Sequence, residues 1–229
     1  DRYKEELLFF RLGDFYELFY DDALTASREL NITLTGRNSG EEEKAPMCGV
    51  PYHAAEGYID KLVKKGYKVA ICEQVEDPKT AKGIVKRDVI RVITPGTVLT
   101  ENGTEARENN FLALFYRTKE TLILVFCDVS TGEVIWDRIR HGERQSSIYD
   151  ALAMYRPSEI VTVGDIPLGK ELEEFIAVQL NHVALSPFSP AEEISVIRNE
   201  SMVHFSDAGL LEEDVLEGLG YLLTYLSTV

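Results

Sequence analysis

The fold of the first half is decided by residues 7–30, LLFFRLGDFYELFYDDALTASREL. Leu7 to Arg11 is a short apolar run of the kind that forms a buried strand. Gly13-Asp14 interrupts this run, and we predict a helix from Phe15 to Leu30. Asp14 can act as the N-cap of that helix, with Glu17 at the capping-box position. Apolar residues then recur at steps of three and four, which gives the predicted helix a core-facing side.

The rest of the first half alternates between apolar runs and turn residues, which predicts a mixed α/β fold. We expect a second helix from Ala54 to Lys65, begun by His53 as a cap and ended by Gly66. We expect a polar surface loop over Gly36–Lys44. Three further strands are predicted from alternation and β-branched content, at Asn31–Thr35, Lys68–Glu73 and Val85–Thr94.

The second half begins with three successive strands joined by tight turns and continues with alternating helices and strands. This order is ribonuclease-H-like, so the fold class is α/β, with a mixed-sheet α+β domain followed by a ribonuclease-H-like α/β domain. We expect the domains at 1–95 and 108–229, with 96–107 as a linker. The predicted elements of the second half are strands 111–117, 121–128, 133–140, 159–163 and 182–185, and helices 146–155, 169–180 and 215–226.

The net charge of −15 over 229 residues hides an uneven distribution. Residues 1–110 carry 16 basic and 20 acidic side chains, a net of −4, and residues 111–229 carry 8 and 19, a net of −11. Residues 79–91 have five basic side chains against Asp88, a net of +4. Because phosphate binding needs positive charge, any nucleic-acid contact should come from the first half. The alternative for residues 79–91 is a solvated strand edge.

Three dispersed cysteines indicate reduced thiols, a cytosolic setting and no metal cluster. No stretch is apolar enough to span a bilayer, and the start has no signal-peptide pattern. The missing initiator Met and the abrupt last helix lead us to expect a fragment of a longer protein.

Four motifs stand out: GDFYE (13–17), PMCGVPYH (46–53), AICEQ (70–74) and ITPGT (93–97). In this order and spacing they resemble the N-terminal region of the bacterial MutS mismatch-repair proteins. The resemblance identifies residues 1–95 with the mismatch-recognition domain and residues 108–229 with the connector domain. It implies binding of duplex DNA that contains mispaired or unpaired bases. It also implies that Phe15 stacks on such a base and that Glu17 hydrogen-bonds to it. The alternative for both residues is structural, as a core Phe and a helix cap.

The chemistry of these two side chains suits that role. A mispaired base costs less to unstack than a Watson–Crick pair, and a wedge entering from the minor groove bends the duplex. An aromatic ring regains about 1–3 kcal/mol per stacked base, whatever the base. Glu17 is repelled by phosphates on any duplex, and once protonated it would donate a hydrogen bond to a displaced base. Together these effects produce discrimination.

By the same resemblance, Arg37 and Arg87 fall where the family places residues that contact the DNA backbone. Lys82 and Lys86 are candidates on charge alone, and their alternative is a solvated surface. Such contacts position a protein on DNA without reading its sequence.

The sequence gives less support to other functions. A ribonuclease-H-like nuclease needs converging carboxylates around two metal ions; Asp128 is one candidate, without convincing partners among Glu133, Asp137 and Asp165. No GxxxxGK[ST] phosphate-binding loop is present, so we expect no catalytic residue, metal or cofactor here.

The resemblance implies ATP and Mg²⁺ for the longer parent protein. The parent should be a homodimer, and the fragment should be a monomer. The acidic second half suits a protein-interaction module that engages MutL. We expect a cytoplasmic, nucleoid-associated protein without membrane contact.

Overall fold

The fold is described from a computed structural model in which the chain forms two compact units, Asp1–Thr94 and Pro95–Val229. The predicted domain boundaries at residues 95 and 108 stay predictions. The residues that the structure describes are 3–37, 44–76, 83, 85–98, 109–140, 146–164, 166, 168–180, 182–190 and 211–229. No helix in these ranges is long and apolar enough to cross a membrane.

The first unit contains a mixed six-stranded sheet in the order β3-β4-β2-β1-β5-β6. β1 pairs in parallel with β5, and the other neighbours are antiparallel. Two α-helices accompany it among the described residues, and their buried Ala26 and Leu62 join buried strand residues such as Phe9 and Leu18 in the core. The strands are β1 (Glu6–Leu12), β2 (Phe15–Phe19), β3 (Thr35–Arg37), β4 (Ala45–Pro51), β5 (Lys68–Gln74) and β6 (Arg87–Ile93), and the helices are α1 (Tyr20–Leu30) and α2 (Ala55–Val63).

The second unit contains a mixed five-stranded sheet in the order β11-β10-β7-β8-β9. Its buried apolar side chains form two clusters. One contains Phe126 and Leu152, and the other contains Leu114 and Leu219. Side chains of the central strands contribute to both clusters. The elements are β7 (Phe111–Arg117), β8 (Thr121–Asp128), β9 (Glu133–Arg140), α3 (Ser146–Tyr155), β10 (Glu159–Val163), α4 (Lys170–Gln179), β11 (Ala184–Phe188) and α5 (Glu213–Leu226). With five helices and two mixed sheets in the described part, the α/β class is confirmed.

The predicted helix start at Phe15 is wrong. Residues Phe15–Phe19 form strand β2, and the helix begins only at Tyr20. Burial alternates along this segment, with Tyr16 and Leu18 buried and Phe15 exposed, so its true period is two. Asp14 and Glu17 therefore do not cap a helix, and α1 has no side-chain cap at its N-terminus.

Two smaller predictions in the first unit also need correction. The strand expected at Asn31–Thr35 lies later, at β3, and most of the loop expected at Gly36–Lys44 lies outside the described residues. His53 does not cap α2, because it belongs to a short 3₁₀ turn and no side chain caps that helix.

Candidate nucleic-acid interface

Phe15 stands at the first position of β2, directly after a tight turn. The β1–β2 hairpin pairs Leu12 with Phe15, which leaves Gly13 and Asp14 as the turn. Gly13 has φ +56°, a left-handed conformation that glycine adopts without a steric penalty. The turn thus presents the Phe15 ring at the end of the sheet, where it is 46% exposed.

Glu17 shares a sheet face with Phe15, because residues two apart on a strand point the same way. Gly49 is its partner on β4, and a Cβ at Gly49 would lie 3.5 Å from Cγ of Glu17 and 3.2 Å from the backbone oxygen of Tyr16. The close approach is to the backbone of β2, so a side chain at Gly49 would crowd the pairing of β4 with β2 beside Glu17.

Arg37 pairs with Glu17 in this structure. Its Nη1 donates to Oε2 of Glu17 at 2.9 Å, from the neighbouring part of the sheet on β3. The Arg37 side chain is 54% exposed and the Glu17 side chain 21%. Its guanidinium also lies 5.9 Å from the ring centre of Phe19. Three residues expected from the sequence, Phe15, Glu17 and Arg37, thus meet on one face from β2 and β3, the strands on either side of β4.

The other basic candidates differ from one another. Lys86 is exposed just before β6. Arg87 is partly buried and donates Nε to the carbonyl oxygen of Arg11 at 2.8 Å and Nη1 to that of Val85 at 2.8 Å. Two of its three guanidinium nitrogens are therefore engaged within the unit. Lys82 lies outside the described residues.

A shallow recess beside Glu17 brings in residues that sequence reasoning missed. Leu12, Lys44 and Met47 line it together with Glu17 and Arg37. Lys44 is exposed and adds a second positive charge at this recess. Leu12 reaches the recess through the β1–β2 hairpin, and the pairing of β4 with β2 and β3 brings in the others. No sequence pattern indicated the two pairings of β4.

Two ionisable side chains beneath this face are buried. Burial raises the pKa of Tyr16 to about 12, and the hydrogen bond to Glu73 and its charge act in the same direction. Burial also raises the pKa of the Cys48 thiol to about 11. Because the thiolate is the nucleophilic form, Cys48 is a packing residue at neutral pH.

Asp128, the nuclease candidate, has a structural role in the turn that follows β8. Its carboxylate accepts hydrogen bonds from Ser130 Oγ at 2.6 Å and from the backbone N–H groups of Ser130, Thr131 and Asn110. Burial raises the pKa of Asp128, but these hydrogen bonds outweigh burial and lower it. Asp165 lies outside the described residues, and those that are described contain no group of three potential metal ligands.

Comparison with known proteins gives consistent matches along the chain. The family model for MutS domain I matches residues 1–102. The chain is 47% identical over 231 residues to the DNA mismatch repair protein MutS of Caldanaerobacter subterraneus subsp. tengcongensis, covering 99% of this chain and 26% of that protein. It is 48% identical over 229 residues to the protein of that name from Alkaliphilus oremlandii, covering 99% of this chain and 25% of the relative. The chain thus spans about a quarter of the length of these relatives.

Proposed function

Because the chain belongs to the MutS family, we propose that its first unit binds duplex DNA and detects mispaired or unpaired bases. Phe15 stacks on such a base, and Glu17 hydrogen-bonds to it. The observation that carries this proposal is the exposed Phe15 ring at a hairpin turn, with a carboxylate two residues on along the same face. A ring sealed in the core could not act in this way.

The proposed wedge works by testing how easily a base step opens. Entry of the Phe15 ring from the minor groove unstacks neighbouring bases and bends the duplex, at a cost of a few kcal/mol. The ring recovers about 1–3 kcal/mol by stacking on any base. The gain from stacking exceeds the cost of unstacking only where base pairing is already weak, so the Phe15 ring enters only there. Deformability, rather than base sequence, is then what the unit reads.

Glu17 weakens binding to duplexes in which every base is correctly paired. Its carboxylate is repelled by phosphates, and its pairing with Arg37 in this structure partly neutralises that charge. On binding, Arg37 would exchange Glu17 for a phosphate oxygen, since guanidinium groups bind both by charge-assisted hydrogen bonds. Glu17 is then left facing the bases, where only a displaced base offers it a partner.

The remaining contacts are proposed to hold the DNA backbone. Lys86 is exposed and suits this role, while Arg87 would use the guanidinium nitrogen that its two carbonyl contacts leave over. Lys82 remains a candidate on charge alone. These contacts add affinity and salt dependence without sequence preference.

The second unit is proposed to serve as a connector that relays DNA binding to the ATPase and to a MutL-type partner of a dimeric full-length protein. The support is its resemblance and the net charge of −11 over residues 111–229, which suits a protein surface better than a phosphate backbone. ATP and Mg²⁺ belong, by the same resemblance, to regions outside this chain. The proposed location is the bacterial cytoplasm, at the nucleoid.

The proposal is tested by Phe15→Ala in the full-length gene product, with fluorescence anisotropy on duplexes that differ by one mispair. Loss of 1–3 kcal/mol of stacking should reduce the preference for the mispaired duplex by roughly 5- to 150-fold. Leu24→Ala is the matched control, because Leu24 is 45% exposed on α1. An unchanged preference in Phe15→Ala, or no preference in the unaltered protein, would overturn the proposal.

A further inference from the structure

Arg11 lies at the end of β1, and its guanidinium reaches the turn that presents Phe15. Nε donates to the carbonyl oxygen of Gly13 at 2.6 Å, and Nη1 donates to Oε1 of Glu73 at 3.3 Å. The same group stacks on the ring of Tyr52, 3.7 Å from the ring centre. The side chain is only 17% exposed, so these contacts fix its position.

The turn is therefore held at both of its residues. Arg11 engages the carbonyl oxygen of Gly13, and the backbone N–H of Tyr52 donates to the carbonyl oxygen of Asp14 at 3.0 Å. Phe15 is the next residue along the chain. A turn whose two carbonyl groups are both bound has little freedom to tilt the ring that follows it.

Further contacts support Arg11 itself. The hydroxyl of Tyr16 donates to the same Glu73 carboxylate, and Arg87 donates Nε to the carbonyl oxygen of Arg11 at 2.8 Å. Tyr16 and Glu73 come from β2 and β5, the strands that flank β1, and Arg87 comes from β6, the strand beyond β5. Arg11 thus lies inside a network of hydrogen bonds, which fixes geometry more firmly than one contact would.

We propose that Arg11 is a positioning residue for Phe15: its guanidinium fixes the Gly13–Asp14 turn so that the ring is pre-oriented for entry into a base step. This inference rests on the proposed function. Stacked bases resist the entry of the Phe15 ring. If the Gly13–Asp14 turn moved under that resistance, less of the binding energy would go into opening the base step. A planar fork that donates in two directions and stacks on an aromatic ring is specific to arginine.

The test uses two substitutions of Arg11 in the full-length gene product. Arg11→Met keeps a long side chain without the guanidinium, and Arg11→Lys keeps the positive charge without the fork. Both should reduce the preference for a mispaired over a matched duplex by about tenfold, which corresponds to about 1.4 kcal/mol. If Arg11 acted as a charge on phosphate, Arg11→Lys would retain the preference, which would overturn the inference.

A double-mutant cycle separates positioning from other roles. In a Phe15→Ala background, Arg11→Met should have no further effect on the mismatch preference, because no ring remains to be positioned. An equal effect in both backgrounds would overturn the inference. If Arg11→Met does not fold, as judged by thermal unfolding, Tyr52→Leu removes the stacking partner instead and should show the same dependence on Phe15.

The same measurements distinguish two failures. If Phe15→Ala leaves the mismatch preference unchanged, the proposed function itself fails. If Phe15→Ala abolishes the preference while Arg11→Met, Arg11→Lys and Tyr52→Leu all leave it intact, only the positioning inference fails. The unstacking of a fluorescent base analogue beside the mispair gives a second readout, which should fall in parallel with the preference.

Discussion

The charge on Glu17 can be removed with little change of shape by Glu17→Gln. In the structure this carboxylate pairs with Arg37 at 2.9 Å, and the Arg37 side chain is half exposed. Such partly exposed ion pairs contribute about 0–1 kcal/mol to stability. The fold should therefore survive, with a free energy of unfolding within about 1 kcal/mol of the unaltered protein.

Two effects should tighten the binding of matched DNA by Glu17→Gln. The substitution removes a repulsion that amounts to about 1 kcal/mol for unit charges about 4 Å apart in water, which is about fivefold in affinity. It also removes the cost of separating Arg37 from Glu17 when Arg37 turns to a phosphate. Because Arg37 contacts a phosphate in both proteins, the slope of log affinity against log salt should be unchanged in Glu17→Gln. Loss of that contact in Arg37→Gln should make the slope shallower by about 0.9.

The assay is an anisotropy titration of matched and mispaired duplexes over a series of salt concentrations, with the full-length gene product. Discrimination should fall, because affinity for the matched duplex rises while the hydrogen bond to the displaced base weakens. Glu29→Gln is the control: Glu29 pairs with Lys65 at 3.0 Å with a similar exposure, 20%. Unchanged affinity of Glu17→Gln for matched DNA, or an equal gain in Glu29→Gln, would refute the reasoning.

Three further predictions concern stability, each measured by urea unfolding. Phe9→Ala should cost about 3–5 kcal/mol because the ring is fully buried, and an unfolding free energy within 1 kcal/mol of the unaltered protein would contradict this. Gly96→Ala should cost about 1–3 kcal/mol, because the new Cβ would lie 2.9 Å from Cβ of Leu112, and an unchanged free energy of unfolding would contradict this. The pKa of Tyr16 rises from 10 in the unfolded chain to about 12 in the fold, so the unfolded chain loses this proton first. Stability should therefore fall between pH 10 and 12, and Tyr16→Phe should show a smaller fall.

The second half was predictable because its patterns are locally complete. β8 is buried along its whole length, and it pairs on both sides with the strands that precede and follow it across tight turns. β7, β8 and β9 have the bounds that were predicted from the sequence. In such hairpins the signals of strand and turn lie within a few residues, and no distant partner is needed to interpret them.

The first half was less predictable because its decisive pairings are distant or atypical. β4 contains Pro46, Gly49 and Pro51, residues that usually argue against a strand. Residues 46–53 were therefore identified as a motif, and no strand was predicted there. β4 nevertheless joins β2 to β3 through long-range pairing. The recess beside Glu17 depends on that pairing, which explains why Lys44 and Met47 were missed.

The error at Phe15 matters most for function. On a helix, residues two apart are about 200° apart around the axis, so Phe15 and Glu17 would point away from each other. On β2 they share a face, which lets a ring and a carboxylate meet the same base pair. A slip of one residue in the hairpin would turn Tyr16 and Leu18 outward in their place. The two-residue turn at Gly13 fixes this register, so the conformation of the turn governs which side chains can face DNA.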